Sequence, residues 1–294
     1  MLGFDFKKLS TAHYETNRYE ITEGYTNITV ITNTAGVKFV PSTNGKTEVV
    51  CHEEVNVEHA VSVKDGTLVI ELVDTRKWYE YIRIGYFAST EVTVSLPAGA
   101  YGALGVRIHT GEVEIPKDFT FKSMEVAGST GDVDCSASVV GEMKIHLSTG
   151  DIALESLSAG ALDLAATTGE IEVHGVICAG DVSFDVSTGK AIVSDMTCEN
   201  LSSNGSTGSL ILENVIARGK MSVERSTGGV KMEACDAAEL SVKTDTGDVV
   251  GRLRSSKIFI VRTDTGYVDV PASVEGGRCE ITTETGNIKI QISL

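Results

Sequence analysis

Basic residues are scarce in this chain: 25 Lys and Arg stand against 41 Asp and Glu, a formal net charge of −16. Such a balance argues against nucleic acid and against direct adsorption to anionic lipid. No apolar run approaches the ~20 residues with which a helix crosses a bilayer, and no signal-peptide core is found. The six cysteines follow neither metal spacing nor a paired framework, which argues against a zinc cluster and a disulfide scaffold. His13, His52, His59, His109, His146 and His174 fall in no common position, and no Ser-His-Asp, His-Glu or phosphate-loop arrangement is legible. The sequence implies no cofactor. Tryptophan occurs once.

What is abundant is glycine after threonine. Thr-Gly corners recur at Gly111, Gly131, Gly150, Gly169, Gly189, Gly208, Gly228, Gly247, Gly266 and Gly286, always 19 or 20 residues apart. A short, regular repeat marks a solenoid, whose units bury their apolar faces by stacking on each other. Seven residues before each glycine comes an apolar side chain, from Leu104 and Met124 to Phe259 and Cys279. Further apolar columns lie five before (Val106 to Ile281), two after (Val113 to Ile288) and four after (Ile115 to Ile290), broken only by Ser203 and Gly251. Apolar and polar residues alternate within each arm, the period of a strand with one buried face. A third inward position, seven after the glycine, is suggested by Leu157, Val176, Met196, Val215 and Cys235.

The expected fold is therefore all-β: a single-stranded parallel β-helix of about ten rungs, with right-handed coiling the expected hand. Glycine at each corner supplies a positive φ without steric penalty, and the threonines form a ladder. Rungs ~4.8 Å apart would give nine steps of roughly 43 Å around a narrow core with no room for a ligand. Residues 103–294 form the repeat array. Residues 1–102 keep strand-like alternation without the beat, with hairpin signals at Asn44-Gly45 and Asp65-Gly66. Their expected task is to cap one end, because a bare end rung invites edge-to-edge pairing. The chain stops at Leu294 directly after its last strand, so that rung is expected either to be covered by the chain itself or to associate end to end with another molecule.

Three features are candidates for function. Glu112, Asp132, Asp151 and Glu170 follow four consecutive corner glycines; stacked carboxylates repel unless solvated or bridged, and calcium would suit them. Trp78, Tyr79, Tyr81, Tyr86 and Phe87 cluster between the cap and the array, either packed against the cap or exposed for a protein, glycan or membrane interface. Cys178 and Cys198 occupy the same place in adjacent units, within reach of a disulfide although parallel side chains need not converge.

The segment from Tyr101 to Pro116 and the repeated Ser-Thr-Gly-Asp-Val/Ile units resemble the bacterial putative-adhesin β-strand-repeat family, a domain of unknown function. Residues 3–11 (GFDFKKLST) are similar to the part that follows an N-terminal membrane helix in some members from Gram-positive bacteria. The resemblance implies an extracytoplasmic module, anchored to a membrane only through a segment ahead of this chain, with an unidentified protein or glycan partner and no catalytic residues. A cytoplasmic location is the alternative, given six cysteines. Two other functions are weighed: the ectodomain of an envelope-stress sensing system, and a polysaccharide-acting β-helix enzyme. Against the enzyme, no repeat departs from 19 or 20 residues, so no inserted loops are available to wall a cleft.

Overall fold

The computed structural model describes residues 13–75 and 90–293, all of them strand, turn or loop. Parallel strands stack in register through the array. On the face before the corner run β8 (Gly99–Thr110), β10 (Phe119–Thr130), β12 (Ser138–Thr149), β14 (Ser158–His174) and β16 (Val182–Cys198), followed by β17 (Leu201–Thr207), β18 (Leu210–Thr227) and β19 (Val230–Thr246). Thr130 lies over Thr110, Thr149 over Thr130, and so on to Thr246, which is the expected ladder. On the face after the corner, β9 (Val113–Ile115), β11 (Val133–Cys135) and β13 (Ile152–Glu155) continue into the later halves of β14, β16 and β18. The third column is real too: Leu157, Val176, Met196, Val215 and Cys235 are all buried.

The corner glycines have φ between +130° and +156°, a conformation that L side chains rarely adopt. They also sit directly against each other. A Cβ on Gly131 would lie 1.7 Å from the Gly111 carbonyl oxygen, and one on Gly208 would lie 1.5 Å from that of Gly189.

A second corner, not read from the sequence, comes six residues later. Ser156, Gly175, Asp195, Asn214 and Ala234 all take φ between +52° and +65°. Glycine, asparagine and aspartate tolerate this left-handed region, whereas alanine has no local hydrogen bond to offset the clash. Ala234→Gly is expected to stabilise the fold by about 0.5–1 kcal/mol, read as a higher urea midpoint with an unchanged slope.

The stack reaches below the first Thr-Gly unit. β2 (Asn27–Ile31) and β3 (Ala35–Pro41) lie parallel and in register with β8 and β9, although their corner has no Thr-Gly. Beyond them lie β6 (Thr67–Asp74), paired with β2, and β7 (Thr90–Leu96), paired with β3. Coil order thus departs from chain order, for the first coil in sequence is second in space. Antiparallel strands then close this end: β4 (Thr47–Glu54) on β7, β1 (Tyr14–Ile21) on β4, and β5 (Val57–Lys64) on β6.

The far end repeats the exchange. β23 (Gly277–Thr285) pairs with β19 on one side and β21 (Lys257–Thr265) on the other. β24 (Ile288–Ile292) likewise lies between β20 (Val249–Leu253) and β22 (Val268–Asp269). The expectation that successive coils always lie over each other fails for this last pair. The C-terminal coil is covered by the chain itself, and the coil before it forms the end of the rod.

The two exceptions to the apolar rule have structural reasons. Ser203, fully buried, accepts a 2.7 Å hydrogen bond from Arg225 Nη2, and Arg225 is itself 4% exposed. Gly205 leaves room for that guanidinium, since a Cβ there would lie 1.7 Å from Nη1. Burial pulls the Arg225 pKa down, opposed by the Asp185 carboxylate. At Gly251 a Cβ would stand 2.5 Å from the Met232 carbonyl oxygen.

All six cysteines are free and buried, Cys178 and Cys198 included. Burial pushes Cys51, Cys135, Cys198 and Cys279 up from 9.0 to about 12. A thiol with a raised folded pKa stays protonated in the fold while its unfolded counterpart ionises. Its stabilising effect is therefore complete below pH 9 and is lost between pH 9 and about 12. Stability should fall across that window. Native protein at pH 8 should give almost no reaction with a thiol reagent, and denatured protein should give all six.

Candidate functional site

The most structured polar group lies where the cap meets the coils. Glu53 on β4 and His59 on β5 face each other across one hairpin, Thr32 lies just after β2, and the three are 1%, 2% and 6% exposed. His59 Nδ1 is 2.7 Å from Glu53 Oε2, and His59 Nε2 is 2.9 Å from Thr32 Oγ1. With the ring proton on Nδ1 donated to the carboxylate, Nε2 accepts the threonine hydroxyl. Glu53 also accepts from the His59 backbone N–H at 2.7 Å and from Asn17 Nδ2, on β1, at 2.9 Å. Tyr19 OH donates to the His59 carbonyl at 3.2 Å.

Hydroxyl, imidazole and carboxylate stand in the order of a nucleophilic triad. A recess of about 120 Å³, lined by Thr34, Glu54, Val57, Leu72 and Thr90 among others, adjoins them. The Thr32 N–H, however, donates to the Arg107 carbonyl at 2.9 Å, so it offers nothing to a developing oxyanion. Cys51 brings a third ligand type: its Sγ and the Glu53 and His59 ligand atoms lie within 4.8 Å of one another. Sulfur, nitrogen and oxygen together would suit zinc, yet Glu53 and both His59 nitrogens already hold hydrogen-bond partners. What the network does on this geometry is tie four strands together, β1, β4, β5 and the end of β2, through one buried, satisfied cluster. His59 was visible in the sequence only as an isolated histidine; the close pairing arises from the turn at Asn56, with φ +73°.

The acidic column is assembled as expected but is used by the backbone. Asp132 Oδ1 accepts the Asp151 N–H at 2.8 Å, and Asp151 Oδ1 accepts the Glu170 N–H at 2.7 Å. Glu170 in turn pairs with Lys190 Nζ at 3.2 Å, and Glu112 heads the column. Each aspartate thus serves an N–H of the next coil. Among the described residues, the four acids do not form a group with ligand atoms as close as those of Cys51, Glu53 and His59. Trp78, Tyr79, Tyr81, Tyr86 and Phe87 lie outside the described residues.

On the outer face of β2, β8, β10 and β12 the side chains are small, and a groove of about 580 Å³ results. Thr29, Ala103, Gly105 and Ser123 line it together with Arg107, Glu125, Glu142 and Lys144. Its mixed charge suits an extended polar ligand or a protein surface better than a small apolar molecule.

Among the described residues no helix is long and apolar enough to cross a membrane. No curated protein matches the chain. Solved structures do. A "putative adhesin" from Parabacteroides distasonis aligns over 96% of this chain and 99% of that one, at 10% identity and a TM-score of 0.50. A "putative adhesin" from Bacteroides fragilis aligns over 95% and 98%, at 13% identity and 0.46. A "putative lipid binding protein" from Parabacteroides distasonis aligns over 93% and 96%, at 13% and 0.49. At these identities the likeness speaks for the fold alone. The family model described as Toastrack DUF4097 matches residues 25–184. That span begins beside β2, takes in the exchanged coils at the capped end and runs into the regular ladder, and this chain belongs to the Toastrack DUF4097 family.

Proposed function

We propose that this chain is a non-catalytic module of the cell surface that presents a stiff face to a protein or glycan partner. One observation carries the reading. Coils of nearly constant length provide no inserted loops, and the groove of about 580 Å³ over Gly105 is lined by side chains of the stacked strands themselves, Arg107, Glu125, Glu142 and Lys144 among them. The name of one structural neighbour, the "putative adhesin" aligned at a TM-score of 0.50, is in keeping with this reading. The likeness of residues 3–11 to the part that follows a membrane helix in some family members supports tethering at the envelope.

Gly105 provides the test. A Cβ there would meet only Thr29 Oγ1, at 3.9 Å, so Gly105→Arg fills the groove without straining the fold. Glycan arrays and pull-downs from envelope fractions should capture a ligand with the wild-type chain. Binding should weaken tenfold or more in Gly105→Arg while the melting temperature stays constant. No ligand at millimolar concentration, or capture indifferent to the substitution, would refute the proposal.

A further inference from the structure

We infer that two copies of this chain associate head to head through the open end of the rod, and that association stops at two. The inference goes beyond the proposed binding function and does not depend on it. Its basis is the exchange of the last two coils, which leaves residues 254–276 outermost. Among the described residues, β21 pairs only with β23, and β22 only with β24. Each therefore presents a free row of backbone N–H and C=O groups along its outer edge.

The apolar residues of this coil are under-covered in the way that an absent neighbour would produce. Phe259 and Val261 occupy columns in which the coils beneath bury Leu240, Val242, Cys279 and Ile281, yet both remain half-exposed. Ile258, Ile260, Tyr267, Val268 and Val274 are five of the eight exposed large hydrophobics among the described residues. Natural edge strands are usually blunted by charge, proline or a bulge. β21 carries charge at two of its four outward positions, Arg262 and Asp264, and isoleucine at the other two.

A second copy is the occupant that the charge and size of this surface favour. Lys257 is buried on Asp236 at 2.6 Å, which leaves Arg254 and Arg262 against Asp264, Asp269 and Glu275, so the end coil is close to neutral on a chain of net charge −16. Two such chains meet here with much less repulsion than contact elsewhere would bring. Arg262 and Asp264 stand two apart on the same side of β21 and form an exposed pair at 3.0 Å. In an antiparallel pairing of β21 with its own copy, centred between them, each would face its opposite in the other chain. The coil offers 23 residues, within the roughly 20–30 per partner of a stable interface. The other end of the rod is different in kind, closed by antiparallel strands whose edge, β1, carries Glu15, Arg18 and Glu20. The two ends do not match, so growth into a filament is not supported and an isologous dimer results.

Sedimentation equilibrium and small-angle scattering of the whole chain, from 1 µM to 500 µM, test this directly. The expected mass rises from 31.2 kDa to twice that value and no further, with a maximum dimension close to double. Ile260→Lys places a charge on the outer edge at a side chain already 49% exposed, so it should weaken association at least tenfold without changing the melting temperature. Val140→Lys, at an outward valine of β12 that is 73% exposed and remote from the end coil, should change neither. A mass that stays at the monomer value, one that climbs without limit, or a dimer indifferent to Ile260→Lys would overturn the inference. So would a monomer whose edge is filled only by added strand peptides, which would point to pairing with a different protein.

Discussion

Gly208→Ala should be among the most damaging single-methyl changes in this protein, lowering stability by about 3 kcal/mol or more. Two penalties act together. The backbone there has φ +130°, where an alanine is strained, and the new Cβ would stand 1.5 Å from the Gly189 carbonyl oxygen. That oxygen belongs to the backbone of the coil below and cannot swing aside, so the two coils must separate. A comparison isolates the second penalty. Gly45 has φ +73° with nothing within 4 Å of its would-be Cβ, so Gly45→Ala should suffer backbone strain alone and lose about 1 kcal/mol. Urea midpoints of the two variants check the difference. Equal losses would mean that close stacking at the corner contributes little.

Glu53→Ala is the second large effect, expected to cost about 3–5 kcal/mol. The substitution removes the acceptor of three hydrogen bonds at once, from His59 Nδ1, the His59 N–H and Asn17 Nδ2. Water cannot replace it easily at a site where Glu53 and His59 are 1% and 2% exposed. Thr32→Val keeps the shape but removes one bonding partner and should cost about 1–1.5 kcal/mol. Hydrogen exchange should localise both losses to β1, β4 and β5, leaving the middle of the array protected, because repeat coils depend chiefly on their neighbours. Uniform loss of protection would show instead that the cap network governs the cooperativity of the whole rod.

The regular part of the fold was legible because its physics is local and periodic. Alternation across a corner declares which side chains face inward, and ten copies of the pattern leave little ambiguity in register. Residues such as Leu104, Val106, Val113 and Ile115 could be placed without any long-range information. The polar cluster was not legible in this way. Thr32, Glu53 and His59 share no motif, and each alone looks like an ordinary strand residue. They meet only because a hairpin turns at Asn56 and lays two cap strands over the end of β2. The acidic column was half legible: its stacking followed from the repeat, but its service to backbone N–H groups depended on side-chain direction.

Sequence alone determined the solenoid, its glycine corners, its aliphatic columns and its acidity, since each follows from residue type and spacing. Tertiary structure decided the order of the coils at both ends, the cap network and the identity of the open edge. The reason is that every unit carries nearly the same apolar pattern, so Cys279 and Ile281 fit over Leu240 and Val242 as well as Phe259 and Val261 would. Between such interchangeable coils, only the packing of the complete chain selects which one is covered and which is left at the end.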